Sequence, residues 1–224
     1  MPLSINSSAM EEDRSVAAEI ARALALRIVS GEIGPNDRLR QDHVANEFGV
    51  SHVPVREAFR RLEAQGLVIN EPRRGVKVAA LDPAQVLEVA AMRAALEALA
   101  LKHAMPNMTV ADLATARELA LDMACDDDIA ALEATNRRFH ETLIRPCAMP
   151  RLLASIADLH QASARHLFYT LRQLDYKPHS DEGHVAILDA ILENHADDAC
   201  ALLTEHILAA GRALAVALVD GTPT

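Results

Sequence analysis

Residues 49–68 read GVSHVPVREAFRRLEAQGLV, and this stretch decides the fold of the first part of the chain. Gly49 ends a short helix that is predicted over 41–48. Ser51 has the residue type of an N-cap for a second helix, which Gly66 ends. Apolar residues at helical spacing predict the buried stripe of that second helix: Val55, Ala58, Phe59 and Leu62. The stretch therefore predicts two helices joined by a tight turn.

The flanking residues complete a small domain. Before the stretch, apolar residues at helical spacing from Val16 to Val29 predict a helix with Ser15 as its cap. After it, the short apolar or alternating segments 67–69 and 75–78 flank a basic turn and predict a β-hairpin. A helix, a helix-turn-helix and a hairpin in this order are typical of a winged helix-turn-helix, which binds DNA.

The rest of the chain shows only helical periodicity. Asp82 and Pro83 have the residue types of an N-cap and a first helical position. Six helices are predicted, over 83–104, 109–124, 127–145, 150–172, 181–194 and 196–219. Short connections between them favour an antiparallel bundle. The predicted fold class is mainly α, with an N-terminal winged helix-turn-helix and a C-terminal all-α antiparallel helix bundle.

The predicted organisation has three parts: a flexible tail over 1–14, a winged helix-turn-helix DNA-binding domain over 15–79, and an all-helical effector-binding and dimerisation domain over 80–224. The charge distribution agrees with this division. Residues 1–79 hold 11 basic and 11 acidic residues, whereas residues 80–224 hold 11 basic and 21 acidic residues. Phosphate binding needs local positive charge rather than a basic average, so the net charge of −10 does not exclude DNA binding.

Cysteine usage and hydropathy indicate a soluble cytoplasmic protein. Cys125, Cys147 and Cys200 are scattered and odd in number, which indicates neither a disulfide framework nor a cysteine-based metal site. The first residues are polar and acidic, unlike a signal peptide. No uninterrupted apolar run approaches the length of about 18–20 residues that a membrane span needs, so we expect no membrane partner.

The candidate DNA contacts lie at the start of the recognition helix, before the helix-turn-helix and on the wing. A recognition helix meets base edges with its N-terminal residues, while arginine, hydroxyl and backbone N–H groups hold phosphates. The candidates are Arg40, Ser51, His52, Val53, Pro54, Arg56, Arg73, Arg74, Gly75 and Lys77. Arg60 and Arg61 are equally well interpreted as a solvated helix face.

These motifs resemble the GntR family of bacterial regulators. The resemblance rests on residues 49–58, 61–68 and 74–78, and the helical remainder is similar to the FCD-type effector domain of the FadR-like branch. It implies a homodimeric, repressor-type regulator that binds a pseudo-palindromic double-stranded DNA operator and responds to a small organic or sugar acid. His52 departs from the family pattern, which has arginine there. A neutral histidine is a weaker phosphate partner, so the operator or the affinity is expected to differ.

Asn136, His140, His184 and His206 form a candidate metal site. Asn136 and His140 are four residues apart and share one helix face, while His184 and His206 lie among apolar residues on the last two predicted helices. Nitrogen-rich ligands without thiolate suit Zn²⁺ or Ni²⁺, with Mn²⁺ or Co²⁺ as further options. The resemblance supports this site, because metal-binding members carry an Asp/Asn-x3-His pair and two later histidines. The alternative is a polar cavity in which the histidines bind the effector directly.

Arg93 and Glu97 are the candidate effector-binding residues. Their spacing is compatible with an exposed i,i+4 ion pair, which contributes only about 0.3–0.5 kcal/mol. In the alternative, which the resemblance favours, Arg93 grips a carboxylate of the effector in a bidentate manner.

Two other functions are alternatives to the effector-responsive regulator. In a metal-responsive regulator the ion is itself the signal. In a helical metal-dependent hydrolase the histidines are catalytic, but the chain has no HExxH motif, no ExxH pair and no His-Asp dipeptide. The sequence therefore predicts that the protein is not an enzyme.

Overall fold

The structure is a computed structural model that describes residues 7–72, 74–125, 129–173 and 177–220. The chain divides into two compact units, residues 1–80 and 81–224. We call them the N-terminal unit and the C-terminal unit.

The described residues of the N-terminal unit, 7–72 and 74–80, form three helices and a three-stranded antiparallel sheet. In chain order its elements are α1 (Ser7–Val29), β1 (Arg38–Leu39), α2 (Gln41–Phe48), α3 (His52–Ala64), β2 (Val68–Glu71) and β3 (Gly75–Val78). The strand order is β1-β3-β2, so the predicted hairpin is joined by a strand that the sequence did not predict. A strand of two residues has no periodicity to reveal it. These elements form a winged helix-turn-helix, as predicted.

Helix α1 begins earlier than the sequence predicts. It starts at Ser7 rather than at Ser15, so the structure continues the helix through residues that the sequence assigned to a flexible tail. Residues 7–14 contain no glycine or proline, and their alanine, methionine and glutamates favour helix.

The core of the N-terminal unit holds α3 against α1. Ile20 and Leu24 of α1 and Val55 and Leu62 of α3 are almost fully buried. Gly49 adopts the left-handed conformation that ends α2, with φ of 66°. Ser51 stands at the N-cap position of α3, but its hydroxyl makes no capping hydrogen bond.

The C-terminal unit is a bundle of helices, which confirms the predicted fold class. Its helices are α4 (Pro83–Ala104), α5 (Val110–Cys125), α6 (Ile129–Ile144), α7 (Pro150–Gln173), α8 (Lys177–Leu192) and α9 (Ala196–Val219). The carboxylate of Asp82 accepts a hydrogen bond from the Ala84 N–H at 3.0 Å, and Pro83 occupies the first turn of α4. Helix α8 begins four residues before the predicted 181, because a proline such as Pro178 is tolerated in a first helical turn.

Helix α4 lies at the centre of the C-terminal unit and packs against α6, α7 and α9. Gly211 of α9 allows the closest approach, since a Cβ atom there would lie 2.6 Å from the Cβ of Ala90. Among the described residues, α9 is the one helix with the length and mean hydropathy (1.6) of a membrane span. Leu203 and Leu214 of α9 are fully buried in the bundle, as in a core helix of a soluble domain.

Candidate DNA interface and metal site

A concave surface of the N-terminal unit is lined by arginines. It has a volume of about 750 Å³, and we call it the basic groove. Its arginines come from β1, the residue before α2, helix α3 and the turn between β2 and β3; they are Arg38, Arg40, Arg56, Arg60 and Arg74. All five are exposed. A concave surface with this charge attracts polyanions such as the phosphate backbone of DNA.

The start of α3 presents most of the predicted base-reading residues to solvent. Ser51, His52 and Arg56 are exposed, and 61% of Val53 is exposed. Pro54 is buried, so its side chain packs into the unit instead of facing a ligand. The Gln41 side chain donates a hydrogen bond to the carbonyl oxygen of His52 at 2.9 Å, which ties the starts of α2 and α3 together.

The wing residues separate into two groups. Arg74 and Gly75 line the basic groove, and Gly75 has a φ of 87° that favours glycine. Lys77 is instead 2.7 Å from the carboxylate of Glu71 and does not line the groove. The hydrogen bond from Lys77 lowers the pKa of Glu71. Arg73, also predicted as a DNA contact, lies outside the described residues.

The sequence did not single out Arg38 and Arg60, which also line the basic groove. Arg38 belongs to the unpredicted strand β1, so no element indicated its position. The sequence is equally compatible with a solvated position for Arg60, which lies one turn after Arg56 on the same face of α3.

Three helices of the C-terminal unit bring three imidazoles together. His140 of α6, His184 of α8 and His206 of α9 each offer a ring nitrogen, and these atoms lie within 4.8 Å of one another. His140 and His184 are each only 1% exposed. We call these residues the histidine cluster.

Two histidines of this cluster, His184 and His206, are held in the neutral form, which is the form that binds metal. Burial, and then the proximity of His206 and His140, hold the pKa of His184 well below its ordinary value. Burial likewise lowers the pKa of His206 to about 3. Both ring nitrogens of His184 are buried without a hydrogen-bond partner among the described residues. An unpartnered buried imidazole is costly, and a metal ion would satisfy it, so the residues present fit the predicted metal.

Asn136 lies one turn before His140 on α6. It is buried, and it lines the same cavity as His140 and His206. The structure therefore brings all four predicted metal residues to one region of the bundle.

Glu97 of α4 lies behind the histidine cluster. Its side chain is fully buried, and its Oε2 is 2.8 Å from Nδ1 of His140. Its Oε1 is 2.9 Å from Nε of Arg93 and 3.1 Å from Nε2 of His160. Burial alone would raise the pKa of Glu97, but the charge of Arg93 and the two histidine contacts outweigh burial and lower it. The alternative of an exposed Arg93–Glu97 ion pair is therefore wrong.

These contacts give Glu97 a role that the sequence did not predict. A carboxylate at Nδ1 fixes the tautomer and ring orientation of His140 and leaves Nε2 as the free lone pair. Glu97 thus positions a histidine instead of lining the cavity. The sequence also missed His160, whose pKa burial lowers to about 4.

The two terminal amino groups of the Arg93 guanidinium differ in their hydrogen bonding. Its Nη1 donates to the Ser163 hydroxyl at 3.2 Å, whereas its Nη2 is buried and has no hydrogen-bond partner among the described residues. Arg93 lines a cavity of about 50 Å³ together with Ser163, Thr170 and Ser180, and we call it the polar cavity. At about 10–15 Å³ per water, this space holds on the order of four water molecules.

The hydroxyls in the polar cavity present acceptor oxygens. Ser163 donates its hydroxyl proton to the carbonyl oxygen of His160 at 3.1 Å, and Thr170 donates to that of His166 at 2.8 Å. Each oxygen retains lone pairs for an O–H or N–H donor of a ligand. None of these hydroxyls was predicted, because serine and threonine on a helix carry no distinctive spacing.

Gly183 is a second determinant of the histidine cluster that the sequence missed. A Cβ atom at this position would lie only 2.5 Å from Nδ1 of His206. The bare backbone of α8 therefore makes room for the imidazole. The available signal was an isolated glycine within a helical pattern, which often has a packing reason.

The two units together define a class of protein. A winged helix-turn-helix with a basic groove, joined in one chain to a helical domain that contains a polar cavity and a histidine cluster, is typical of a transcriptional regulator with an effector domain. Two family profiles match: "Bacterial regulatory proteins, gntR family" over residues 16–78, and "FCD domain" over residues 88–209. The chain belongs to the GntR family and carries an FCD domain, and it is a transcriptional regulator rather than an enzyme.

Individual relatives agree with this assignment. The chain is 31% identical to the HTH-type transcriptional regulator YieP of Escherichia coli over 89% of this chain and 94% of that protein. It is 26% identical to the E. coli transcriptional repressor GlaR, over 81% and 87%. A GntR regulator structure from Rhodococcus sp. RHA1 superposes with a TM-score of 0.76 at 22% identity, covering 89% of this chain and 97% of that one, which shows the shared fold.

Proposed function

We propose that this protein is a cytoplasmic repressor that binds a pseudo-palindromic operator as a homodimer. A small organic or sugar acid lowers or raises its affinity for the operator. The observation that carries the proposal is Nη2 of Arg93, which is buried in the polar cavity beside the histidine cluster and has no hydrogen-bond partner in the part of the chain that the structure describes. A buried guanidinium arm with no partner is costly unless a ligand supplies the acceptor.

The basic groove supports the DNA-binding part of the proposal. Arg40, Arg60 and Arg74 would hold phosphates around the recognition helix, while Arg56 and His52 at its start would face the major groove. Two copies related by a two-fold axis read two half-sites, which is the reason for a pseudo-palindromic operator.

The donor set of the C-terminal unit supports a resident divalent metal. His140, His184 and His206 would hold it, with the Asn136 amide oxygen as a fourth ligand, and a set of three imidazoles favours Zn²⁺ or Ni²⁺ over Mn²⁺ or Co²⁺. When bound, such an ion supplies a Lewis-acidic position for an oxygen of the effector. Glu97 keeps His140 oriented, and Gly183 keeps space for His206.

The lining of the polar cavity supports an effector that has both a carboxylate and hydroxyls. Arg93 Nη2 offers donors for the carboxylate, and the Ser163 and Thr170 oxygens offer acceptors for hydroxyl protons. A hydroxylated acid satisfies both sets, whereas a purely apolar acid leaves the acceptors without partners.

The experiment that tests this function begins with selection of bound duplexes from a random DNA pool by the full-length protein. Operator affinity is then measured by fluorescence anisotropy with and without four-carbon acids: butyrate, succinate, 4-hydroxybutyrate and erythronate. Allosteric coupling of about 1–3 kcal/mol predicts a change of about 5- to 150-fold for a hydroxylated acid. An Arg93→Gln variant is expected to bind the operator but lose the response. No enriched sequence, or no response to any acid in a wide panel, would contradict the proposal.

A metal-responsive regulator is the second candidate function. The observation that favours it is His184, because neither of its ring nitrogens has a hydrogen-bond partner among the residues described. In that case operator affinity changes when Zn²⁺ or Ni²⁺ is added to chelator-treated protein in the absence of any acid. A response that requires both metal and acid favours the effector-responsive regulator.

A further inference from the structure

The four residues that would hold the metal carry no negative charge. His140, His184 and His206 bind an ion only as neutral imidazoles. Asn136 offers the oxygen of a neutral amide. A divalent ion held by these side chains would therefore keep both of its positive charges. A buried charge that nothing compensates is strongly unfavourable.

The carboxylate of Glu97 does not compensate this charge. Its Oε1 is 2.9 Å from Nε of Arg93, so the charges of these two side chains already cancel each other. Glu133 of α6 does not line the polar cavity, and burial raises its pKa, which disfavours its charged form. None of the described residues that line the polar cavity is an acid. The surroundings of the histidine cluster therefore lack the negative charge that a divalent ion requires.

An acid in the polar cavity would supply the missing charge. Asn136, His140 and His206 line this cavity. Arg93 lines it as well, so a ligand there lies beside both the predicted metal ligands and the guanidinium. Opposite charges attract strongly in a buried site, because little water screens them. The ion and the acid would each lower the cost of burying the other.

We propose that Asn136 makes the metal affinity of the histidine cluster depend on the acid, so that the ion and the acid bind cooperatively. With a neutral amide at this position, the ion reaches its full affinity only when the carboxylate of the acid compensates its charge. An aspartate at the same position would supply that charge within the protein and would remove most of the dependence. The inference rests on the proposed effector function and adds that metal occupancy rises when the acid is present.

The first test measures the Zn²⁺ affinity of the full-length protein by competition with a chromophoric chelator, with no acid present. Asn136→Asp introduces one negative charge with almost no change in shape, and we expect it to raise the affinity on the order of tenfold or more. Asn194→Asp is the matched control, because it makes the same change at an exposed position outside the polar cavity. Equal Zn²⁺ affinity of Asn136→Asp and the parent protein would overturn the proposal.

The second test adds an acid to the parent protein and therefore does not depend on how any variant folds. The probes are succinate, 4-hydroxybutyrate and erythronate, with 4-hydroxybutyramide as the uncharged control. We expect at least one acid to raise the Zn²⁺ affinity by about 5- to 150-fold and the amide to leave it unchanged. Binding of Zn²⁺ by an acid in solution shifts the measured affinity in the opposite direction. A Zn²⁺ affinity that is the same with and without every acid would overturn the proposal.

Operator anisotropy with the same proteins separates this inference from the proposed function. We expect the effect of the acid on Zn²⁺ affinity to be much smaller in Asn136→Asp than in the parent protein. An acid that changes operator affinity without changing Zn²⁺ affinity overturns the cooperativity and leaves the proposed function standing. An acid that changes Zn²⁺ affinity without changing operator affinity supports the cooperativity and contradicts only the proposed function.

Discussion

The two units use their polar side chains in opposite ways. Among the described residues, the buried polar or charged side chains all belong to the C-terminal unit: Arg93, Glu97, Asn136, His140, His160, Ser163, Thr170, Ser180 and His184. The five arginines of the basic groove in the N-terminal unit are all exposed. An exposed set of charges suits a large polyanion that stays outside the fold, whereas a buried set suits a small ligand that must be enclosed.

The largest expected effect is the loss of metal from the histidine cluster of the C-terminal unit. A His140→Ala/His184→Ala variant retains one of the three imidazoles, so bound metal is expected to fall from about one ion per chain to none. Metal analysis after purification without chelators measures this. His195→Ala is the matched control, because His195 is exposed beside Glu193 and Asp198. If the double variant retains metal, the histidine cluster lines the cavity without binding the ion.

The second prediction concerns the space that α8 leaves for His206. Gly183→Ala introduces a methyl group at the position where it meets the imidazole, so His206 must move and metal affinity is expected to fall about 10- to 100-fold. Competition with a chromophoric chelator gives the affinity. The ligand-field spectrum of the Co²⁺ form reports any change in coordination.

Two further variants separate displacement of His206 from general destabilisation. Gly211→Ala also introduces a close contact, with Ala90, but it lies between α4 and α9. We expect it to lower the free energy of unfolding by about 1–3 kcal/mol with little effect on metal affinity. In the Gly183→Ala background, the additional change His206→Ala is expected to lower metal affinity only a little further. Full additivity of the two changes would contradict displacement of His206.

The third prediction is a pH dependence that arises from the buried imidazole of His160. The pKa of His160 is about 4 in the folded protein and about 6.5 in the unfolded chain, so below pH 6.5 the unfolded state binds more protons. Stability is therefore lost as the pH falls from 6.5 towards 4. Between pH 7 and pH 5, the metal-free protein is expected to lose about 2 kcal/mol more than a His160→Gln variant. Urea unfolding at both pH values gives the comparison, and equal losses would refute it.

The same contrast explains how much could be predicted from the sequence. The helix-turn-helix and hairpin lie within one continuous stretch, so their caps, breakers and alternation predicted the fold and most of the basic groove. Strand β1, which contains Arg38, could not be predicted, because a strand of two residues is too short to show an alternation of apolar and polar residues. The exposed or buried state of Lys77 and its pairing with Glu71 depend on the sheet register, which local patterns do not give.

The buried polar and charged residues of the C-terminal unit come from distant parts of the chain. Glu97 is 43 residues from His140, and Arg93 is 70 residues from Ser163. The spacing of Asn136 and His140 indicates one shared helix face, and the family resemblance adds His184 and His206 to the candidate metal site. The sequence predicts effector binding for Glu97, because the orientation of Glu97 towards His140 depends on how α4 packs against α6, which local patterns do not give. Gly183 and the cavity hydroxyls become informative only once the helices are in place.

The smallest expected effect distinguishes two basic residues of the exposed set. Arg56 lines the basic groove without an ion pair among the described residues, whereas Lys77 is held by Glu71. Arg56→Ala is expected to weaken operator binding about tenfold, because it removes a contact to a base or a phosphate. Lys77→Ala is expected to weaken binding by about threefold or less, since its charge is already compensated. Anisotropy titrations over a series of salt concentrations measure both, and a smaller salt dependence only for Arg56→Ala places that residue on the backbone phosphates. Equal losses in the two variants would mean that the wing reaches DNA through Lys77 and that its ion pair with Glu71 opens on binding.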